Sequence, residues 1–340
     1  MKNLNLANAS YRYLENSFKD WLDVQGYAPS TVYNLPNHIR ELLHYLEQQG
    51  CSQIKDLRTT HIKSYYKHLQ ERSNQRRGGG LSNGHLNKHI QALRKFTEYL
   101  RKVGRLDIPP VQLGNEAASH RIIYLTEEEV TQLFKVTYQP IEDRKYISLA
   151  IHEAIQCRDR AMLAVFYGCG LRRTEGVSLD VGDIDFDRSV LHVRKGKNNG
   201  ERLVPISKAN RKHLTEYVFD HRHSLLNQRK SEALFVSYRG KRMQGQSLFI
   251  RLKKLQYDTG DIDLIEKEVG LHTLRHSIAT HFLSAGMPLE NISQFLGHTS
   301  LESTQIYTHI PRHAGENYEH KQSFVSIPSY ETGQLHEDEF

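Results

Sequence analysis

Four stretches of this 340-residue chain set cationic and nucleophilic side chains at spacings that suit chemistry on a phosphate. In the first, Gly168-Cys169-Gly170-Leu171-Arg172-Arg173-Thr174-Glu175, two glycines break an apolar segment and Arg172 follows at once. In the second, Lys197 stands at the tip of an expected hairpin. In the third, Leu271-His272-Thr273-Leu274-Arg275-His276, His272 and Arg275 fall at i, i+3 and share one face of a helix. In the fourth, Leu296-Gly297-His298 is followed nine residues later by Tyr307. Cutting a phosphodiester without a metal needs permanent positive charge on the non-bridging oxygens, and arginine supplies it through planar, bidentate donors. Two arginines and a histidine would stabilise a pentacoordinate transition state. A lysine could protonate the leaving oxygen, and a tyrosine could attack and hold the phosphate covalently.

Each group has an ordinary reading when taken singly. An arginine at a helix start is usually in a surface ion pair, and a lysine in a hairpin turn is usually solvated. A His and Arg at i, i+3 are commonly a structural pair, and a tyrosine in a helical pattern is more often core. With 18 tyrosines and 20 histidines in the chain, only the set carries weight.

The elements that must position this set are mostly helical. Apolar residues recur at helical spacing over residues 10–105: Tyr13, Leu14, Phe18, Trp21 and Leu22; Ile39, Leu42, Leu43, Tyr45 and Leu46; Ile62, Tyr65, Tyr66 and Leu69; Leu86, Ile90, Leu93, Phe96, Tyr99 and Leu100. They predict a small bundle of four helices, with Ala28-Pro29-Ser30-Thr31 leading into a helix start. Arg76-Arg77 with Gly78-Gly79-Gly80 reads as a loop. Residues 108–122, with Pro109-Pro110 and no period, read as a linker between domains 1–107 and 123–322. Thr126 and Glu129 form a capping box that opens the second domain. Val190, Leu191 and Val193 face Leu203, Val204 and Ile206 across Asn199-Gly200, a hairpin signal. Ala233–Ser237 suggests another strand, helical patterns run on to about residue 320, and the acidic tail 323–340 reads as disordered.

Composition narrows the class of partner. The net charge is +7 and the pI about 9.1. Residues 1–110 carry 17 Lys and Arg against 9 Asp and Glu, whereas the rest carries 29 against 30. A basic domain joined to a near-neutral one suits a polyanion, although a solvated basic surface has the same composition. A mean hydropathy of −0.62, no apolar run long enough to span a bilayer and no apolar segment at the N-terminus argue against a membrane protein or a secreted one. Three scattered cysteines, Cys51, Cys157 and Cys169, fit a reducing cytoplasm; Cys169 reads as packing.

Taken in order, GCGLRRTEGVSLDVGDID, KGKNNGERLVPI, LHTLRHSIATHFLSAG and ISQFLGHTSLESTQIYTHI resemble the boxes of the tyrosine recombinase (phage integrase) family, over roughly residues 10–320. The resemblance implies a helical N-terminal core-binding, SAM-like bundle and an α+β catalytic domain, mainly helical with a small sheet. It implies that Arg172, Lys197, His272, Arg275 and His298 are catalytic, that Glu175 supports them, and that Tyr307 is the nucleophile. Lys195 competes with Lys197, but the run from Glu201 to Pro205 favours Lys197. It implies a 3′-phosphotyrosyl intermediate and a Holliday junction, no cofactor, no metal and no ATP. Its partners would be double-stranded DNA at specific sites, further copies in a homotetramer, and accessory proteins. By the same resemblance Arg76, Arg77, Lys88, Arg94 and Lys95 of the bundle would contact DNA. The bundle begins about ten residues into the chain, which favours a simple Xer-like or mobile-element enzyme over one with an extra arm-binding domain. The segment from Arg312 to Lys321 would dock on a neighbouring subunit.

Three other readings compete. His272 with His276, and His309 with His313, stand at i, i+4 and suit zinc, though no HExxH arrangement is present. His281–Gln294, with Gly286 and Pro288 at the turn, suits a helix-turn-helix in a DNA-binding protein without catalysis. A type IB topoisomerase would share the chemistry without strand exchange.

Overall fold

A computed structural model of the chain describes residues 4–74, 78–116, 122–139, 148–194 and 201–297. The chain divides into two compact units, residues 1–120 and 121–340.

The first unit is a bundle of α1 (Ala9–Val24), α2 (Pro29–Gln48), α3 (Thr59–Glu71) and α4 (Asn83–Lys102). Asn8 caps α1 by accepting from the Ser10 N–H, and Ser82 caps α4 by accepting from the His85 N–H. Pro29 opens α2, where its missing N–H is not needed. Spacings of three and four residues bring Tyr11, Leu14, Phe18 and Leu22 into one core with Leu35, Ile39, Leu42, Leu46, Ile62, Tyr65, Leu69, Ile90, Leu93 and Phe96. Tyr13, expected on that stripe, is 63% exposed, because the buried face of α1 runs through Tyr11 instead.

The segment expected as a linker lies against this bundle for much of its length. Ile108 is buried in its core, and Val111 and Leu113 pack against it. Glu116 accepts from Tyr66 and Gln70 and exchanges two hydrogen bonds with Asn87. Pro109-Pro110 and the lack of a period give no local sign of these contacts, because their partners are side chains distant in sequence.

The second unit begins with α5 (Glu127–Lys135), closed by the expected capping box: Thr126 accepts from the Glu129 N–H and Glu129 from the Thr126 N–H. Next comes α6 (Leu149–Leu163), whose second half is buried, and which runs into a π-helical turn at Ala164–Gly168. The extra residue of that turn, followed by Gly170 at φ +60°, swings the chain out of the helix and into α7 (Arg173–Ser178). A Cβ at Gly168 would overlap the Asn210 carboxamide, and one at Gly170 would stand 2.9 Å from Phe295. Cys169 between them is fully buried, as packing requires.

An antiparallel sheet of β1 (Ile184–Asp185), β2 (Val190–Val193) and β3 (Arg202–Pro205) follows, with Leu191 opposite Val204 and Val193 opposite Arg202. The hairpin pair was legible, but β1 was not, since two residues carry no period. Leu203 is 65% exposed and Val204 is buried, because strand neighbours point to opposite faces. Ala233–Ser237 is not a strand. It makes only isolated bridges, Asp180 with Ala233 and Val236 with Arg242.

The remaining described α-helices are α8 (Lys208–Thr215), α9 (Arg222–Leu226), α10 (Gly245–Asp258), α11 (Ile262–Glu266), α12 (Leu271–Ser284) and α13 (Leu289–Leu296). α12 is buried on nearly every side. Ser277 on it accepts from the Leu125 N–H, and His281 bonds the Leu125 carbonyl and the Tyr167 hydroxyl. Among the described residues, no helix is long and apolar enough to cross a membrane.

Candidate active site

Arg172 is the residue immediately before α7, delivered there by the π-turn and the glycine break. Its own N–H donates to Glu175 Oε2 at 2.8 Å, and its Nη1 donates to Glu175 Oε1 at 2.9 Å. Arg202 on β3 grips the same carboxylate, with Nη1 3.1 Å from Oε1 and Nη2 3.0 Å from Oε2. Glu175 is therefore a buried anion shared by two guanidinium groups. Burial alone would raise its pKa. The hydrogen bonds from Arg202 and from the Arg172 backbone, together with the two positive charges, overcome burial and hold the carboxyl at about 2.

Arg275 reaches the same place from α12. Its Nη1 donates to the Gly170 carbonyl at 2.6 Å and its Nη2 to the Leu296 carbonyl at 2.8 Å. Arg172 Nη2 donates to the Gly297 carbonyl at 2.9 Å, and Arg202 Nε to the Phe295 carbonyl at 3.3 Å. Three arginines thus bind successive carbonyls at the C-terminal end of α13. Those carbonyls have no partner within the helix and carry its negative dipole end, so they position cations well. Gly297 ends the helix at φ +64°. The next residue is His298.

His272 sits at the start of α12 and is exposed at its edge, unlike buried Arg275. Its imidazole nevertheless lies in this positive field. Partial burial and then the charges of Arg275, Arg173 and Arg172 lower its pKa, with Glu175 opposing them. Four of the expected residues, Arg172, Glu175, His272 and Arg275, are thus gathered around one spot. Lys197, its competitor Lys195, His298 and Tyr307 lie outside the described residues, as do Arg76 and Arg77.

Two further arginines, Arg202 and Arg194, help to build this region, and local spacing does not single them out. Arg194, at the end of β2, donates to the Ser178 carbonyl at 3.0 Å and to Asp180 and Asp183 at 2.8 and 2.6 Å. Arg194 and Arg202 bracket the hairpin tip and tie both of its strands to the α7 region. The spacing alone carried no such signal, because their partners come from other boxes.

The expected DNA contacts on α4 are placed unequally. Lys88 is exposed. Arg94 donates to the Leu113 carbonyl at 2.6 Å, and Lys95 pairs with Glu98 at 2.9 Å while standing over the Tyr27 ring. Arg94 and Lys95 also line a surface concavity with Asn87, Gln91 and Asn115. The helix-turn-helix reading finds two helices joined at Gly286 and Pro288, but His281 and most of α12 are committed to the core.

A helical N-terminal bundle, a mainly helical second unit with a three-stranded sheet, and an arginine cluster on a helix end define an integrase-type fold and site. The family model of the phage integrase family matches residues 124–313, and the phage integrase N-terminal SAM-like domain matches residues 16–104. The chain belongs to the phage integrase family, the tyrosine recombinases, enzymes that cleave and rejoin DNA. It is 45% identical over 231 residues to the tyrosine recombinase XerD of Pseudomonas putida, covering 66% of this chain and 70% of that one. It is 31% identical over 300 residues to the XerD of Corynebacterium glutamicum, covering 86% and 92%. Among solved structures, the XerH site-specific recombinase bound to a palindromic difH substrate in a post-cleavage complex shares the fold, with a TM-score of 0.64 at 19% identity over 88% of this chain and 81% of that one.

Proposed function

We propose that this recombinase breaks and rejoins double-stranded DNA at specific sites through Tyr307, with Arg172 and Arg275 binding the scissile phosphate. The observation that carries this reading is the convergence of the two arginines, from α7 and α12, on the carbonyls that directly precede His298. The backbone carbonyls and Glu175 fix both guanidinium groups before any phosphate arrives, so little reorganisation is needed when charge develops. His272 would donate to a non-bridging oxygen.

In the first step the Tyr307 oxygen attacks phosphorus and passes its proton to solvent water. The bond to the 5′-oxygen breaks, and Lys197 on the hairpin protonates that oxygen. A 3′-phosphotyrosyl link and a free 5′-hydroxyl result. The link conserves the phosphoester bond, so no ATP is consumed. The 5′-hydroxyl of a partner strand then attacks the same phosphorus and releases Tyr307. Two rounds pass through a Holliday junction. Exchanging both strands of two duplexes requires four nucleophiles, which supports a homotetramer on DNA, with accessory proteins to set direction. Arg312–Lys321 would join neighbouring subunits. The bundle, with Lys88, Arg94 and Lys95 and the Arg76-Arg77 pair, would hold phosphates of the duplex, in the cytoplasm where that DNA resides.

The test uses nicked duplex DNA from the flanks of the chain's own gene. An SDS-resistant adduct that survives EDTA and disappears in Tyr307→Phe is the expected result. An adduct that persists in Tyr307→Phe removes this tyrosine as the nucleophile. Relaxation of supercoiled plasmid of any sequence, without exchange, would indicate a topoisomerase instead.

A further inference from the structure

The N-terminal unit buries a group of polar side chains that the strand-exchange chemistry does not use. His38 projects from α2, and His85 and His89 from the first two turns of α4. One ring nitrogen from each lies within 4.8 Å of one from each of the others. The His38 and His89 ring centres are 4.4 Å apart, those of His85 and His89 5.1 Å. His38 Nδ1, His85 Nε2 and His89 Nε2 are all buried without a hydrogen-bond partner. Glu41, one helical turn from His38 on α2, adds an equally unpartnered Oε2, 3.7 Å from His89 Nε2.

Leaving four buried polar atoms unsatisfied in one place is costly, about 1–3 kcal/mol for each, and neither tautomer of His89 repairs it. His89 Nδ1 is 3.3 Å from the Tyr65 hydroxyl. If Tyr65 donates, Nε2 carries the proton, but 3.7 Å is too long for a hydrogen bond to Glu41. If Nδ1 donates to Tyr65, the lone pair of Nε2 faces a carboxylate. A divalent cation between the rings satisfies that lone pair, the carboxylate and the two other nitrogens together.

We propose that His38, His85, His89 and Glu41 form a zinc-binding site that clamps α2 to α4 in the N-terminal unit. The donor set suits the ion: three imidazoles and one carboxylate make a closed tetrahedral shell of the structural kind. The spacing suits a helix pair, with His85 and His89 at i, i+4 on one helix facing His38 and Glu41 at i, i+3 on the other. Zn–N bonds of about 2.0–2.1 Å place ligand atoms roughly 3.4 Å apart, so small side-chain rotations close the group around an ion. Tyr65 holds the outer nitrogen of His89 and fixes the ring.

Arg72 and Lys88 stand near enough to these rings for their charges to oppose a cation. Arg72 is engaged on the other oxygen of Glu41, 2.7 Å from Oε1, so Oε2 remains available to the metal. The site is remote in sequence from the phosphate-binding arginines and does not depend on the mechanism above. Its role is to stabilise the bundle.

The test is titration of the tag-free full-length protein with Co2+ and then Zn2+, followed by thermal melting. One equivalent of Co2+ should give the visible absorption of a tetrahedral site, Zn2+ should displace it, and Zn2+ should raise the Tm. His85→Gln alters a half-buried residue and should leave the apo melt unchanged while abolishing the colour and the Zn2+ shift. Tyr65→Phe should weaken metal binding about 10–100-fold. The paired control His309→Gln with His313→Gln should bind as wild type. Absence of binding at micromolar Co2+ and Zn2+, or binding unaltered by His85→Gln, overturns the proposal.

Discussion

Glu175 shows how one buried carboxylate can order a cluster of arginines. It is 8% exposed and receives hydrogen bonds from Arg172 and Arg202. Glu175→Ala leaves the half-buried Arg172 and Arg202 guanidinium groups without their shared counter-ion, and the expected loss is about 2–3 kcal/mol of stability, read from chemical denaturation. Adduct formation should fall further than stability does, because the Arg172 fork is no longer held. The pH dependence follows from the same carboxylate. Its folded pKa lies near 2, below its ordinary value of 4.5, so its stabilisation is complete above about pH 5 and is lost as the pH falls from there toward 2. Wild type should lose stability over that window, and Glu175→Ala should show a shallower slope. Arg275 makes a planar fork between the Gly170 and Leu296 carbonyls. A lysine cannot span both, so Arg275→Lys should reduce the cleavage rate about 10²-fold or more on a nicked substrate.

At the scale of the element, the C-terminal end of α13 organises the arginines, and a glycine makes that possible. Gly297 stands at φ +64°, and a Cβ there would lie 2.8 Å from the Arg202 side chain. Gly297→Ala should cost about 1–3 kcal/mol through backbone strain. It should also displace Arg202, so cleavage should drop even at temperatures where the variant is fully folded by circular dichroism. Equal cleavage by the folded variant would show that the helix end does not set the site. The hairpin obeys the same logic. Arg194 and Arg202 anchor its two strands, and between them lies the lysine assigned to the leaving oxygen. The β2 and β3 pattern was readable from alternation, but the anchoring was not, because an arginine in a strand gives no sign of which distant carboxylate it will meet.

For the whole molecule, the uneven charge is the property that bears most on DNA. The excess of cations belongs to residues 1–110, whereas the remaining chain is near neutral, yet the arginines clustered at the end of α13 lie in that neutral part. There they are matched by Glu175, Asp180 and Asp183, so they disappear from the net charge while staying concentrated in space. Binding to duplex DNA should fall linearly on a log–log plot against salt. Lys88→Ala should reduce that slope by about 1 and weaken binding equally on all sequences. A change confined to one sequence would assign Lys88 to base recognition instead.

Order and spacing in the chain determined the family resemblance, the four-helix bundle, the capping box at Thr126 and the β2–β3 hairpin. These are local patterns, set by a helix period of 3.6, a strand period of two and the conformational demands of glycine and proline. The candidate catalytic set was legible for a different reason: its members lie within short strings whose order could be read directly. Tertiary structure alone decided that Arg202 shares Glu175 with Arg172, that Arg275 and Arg172 meet at the end of α13, and that residues 108–116 pack on the bundle rather than hang between domains. It also brought His38 to His85 and His89. Each of these joins residues between about 20 and more than 100 positions apart, and such pairings are selected by the close packing of side chains in the folded core, which no local period encodes.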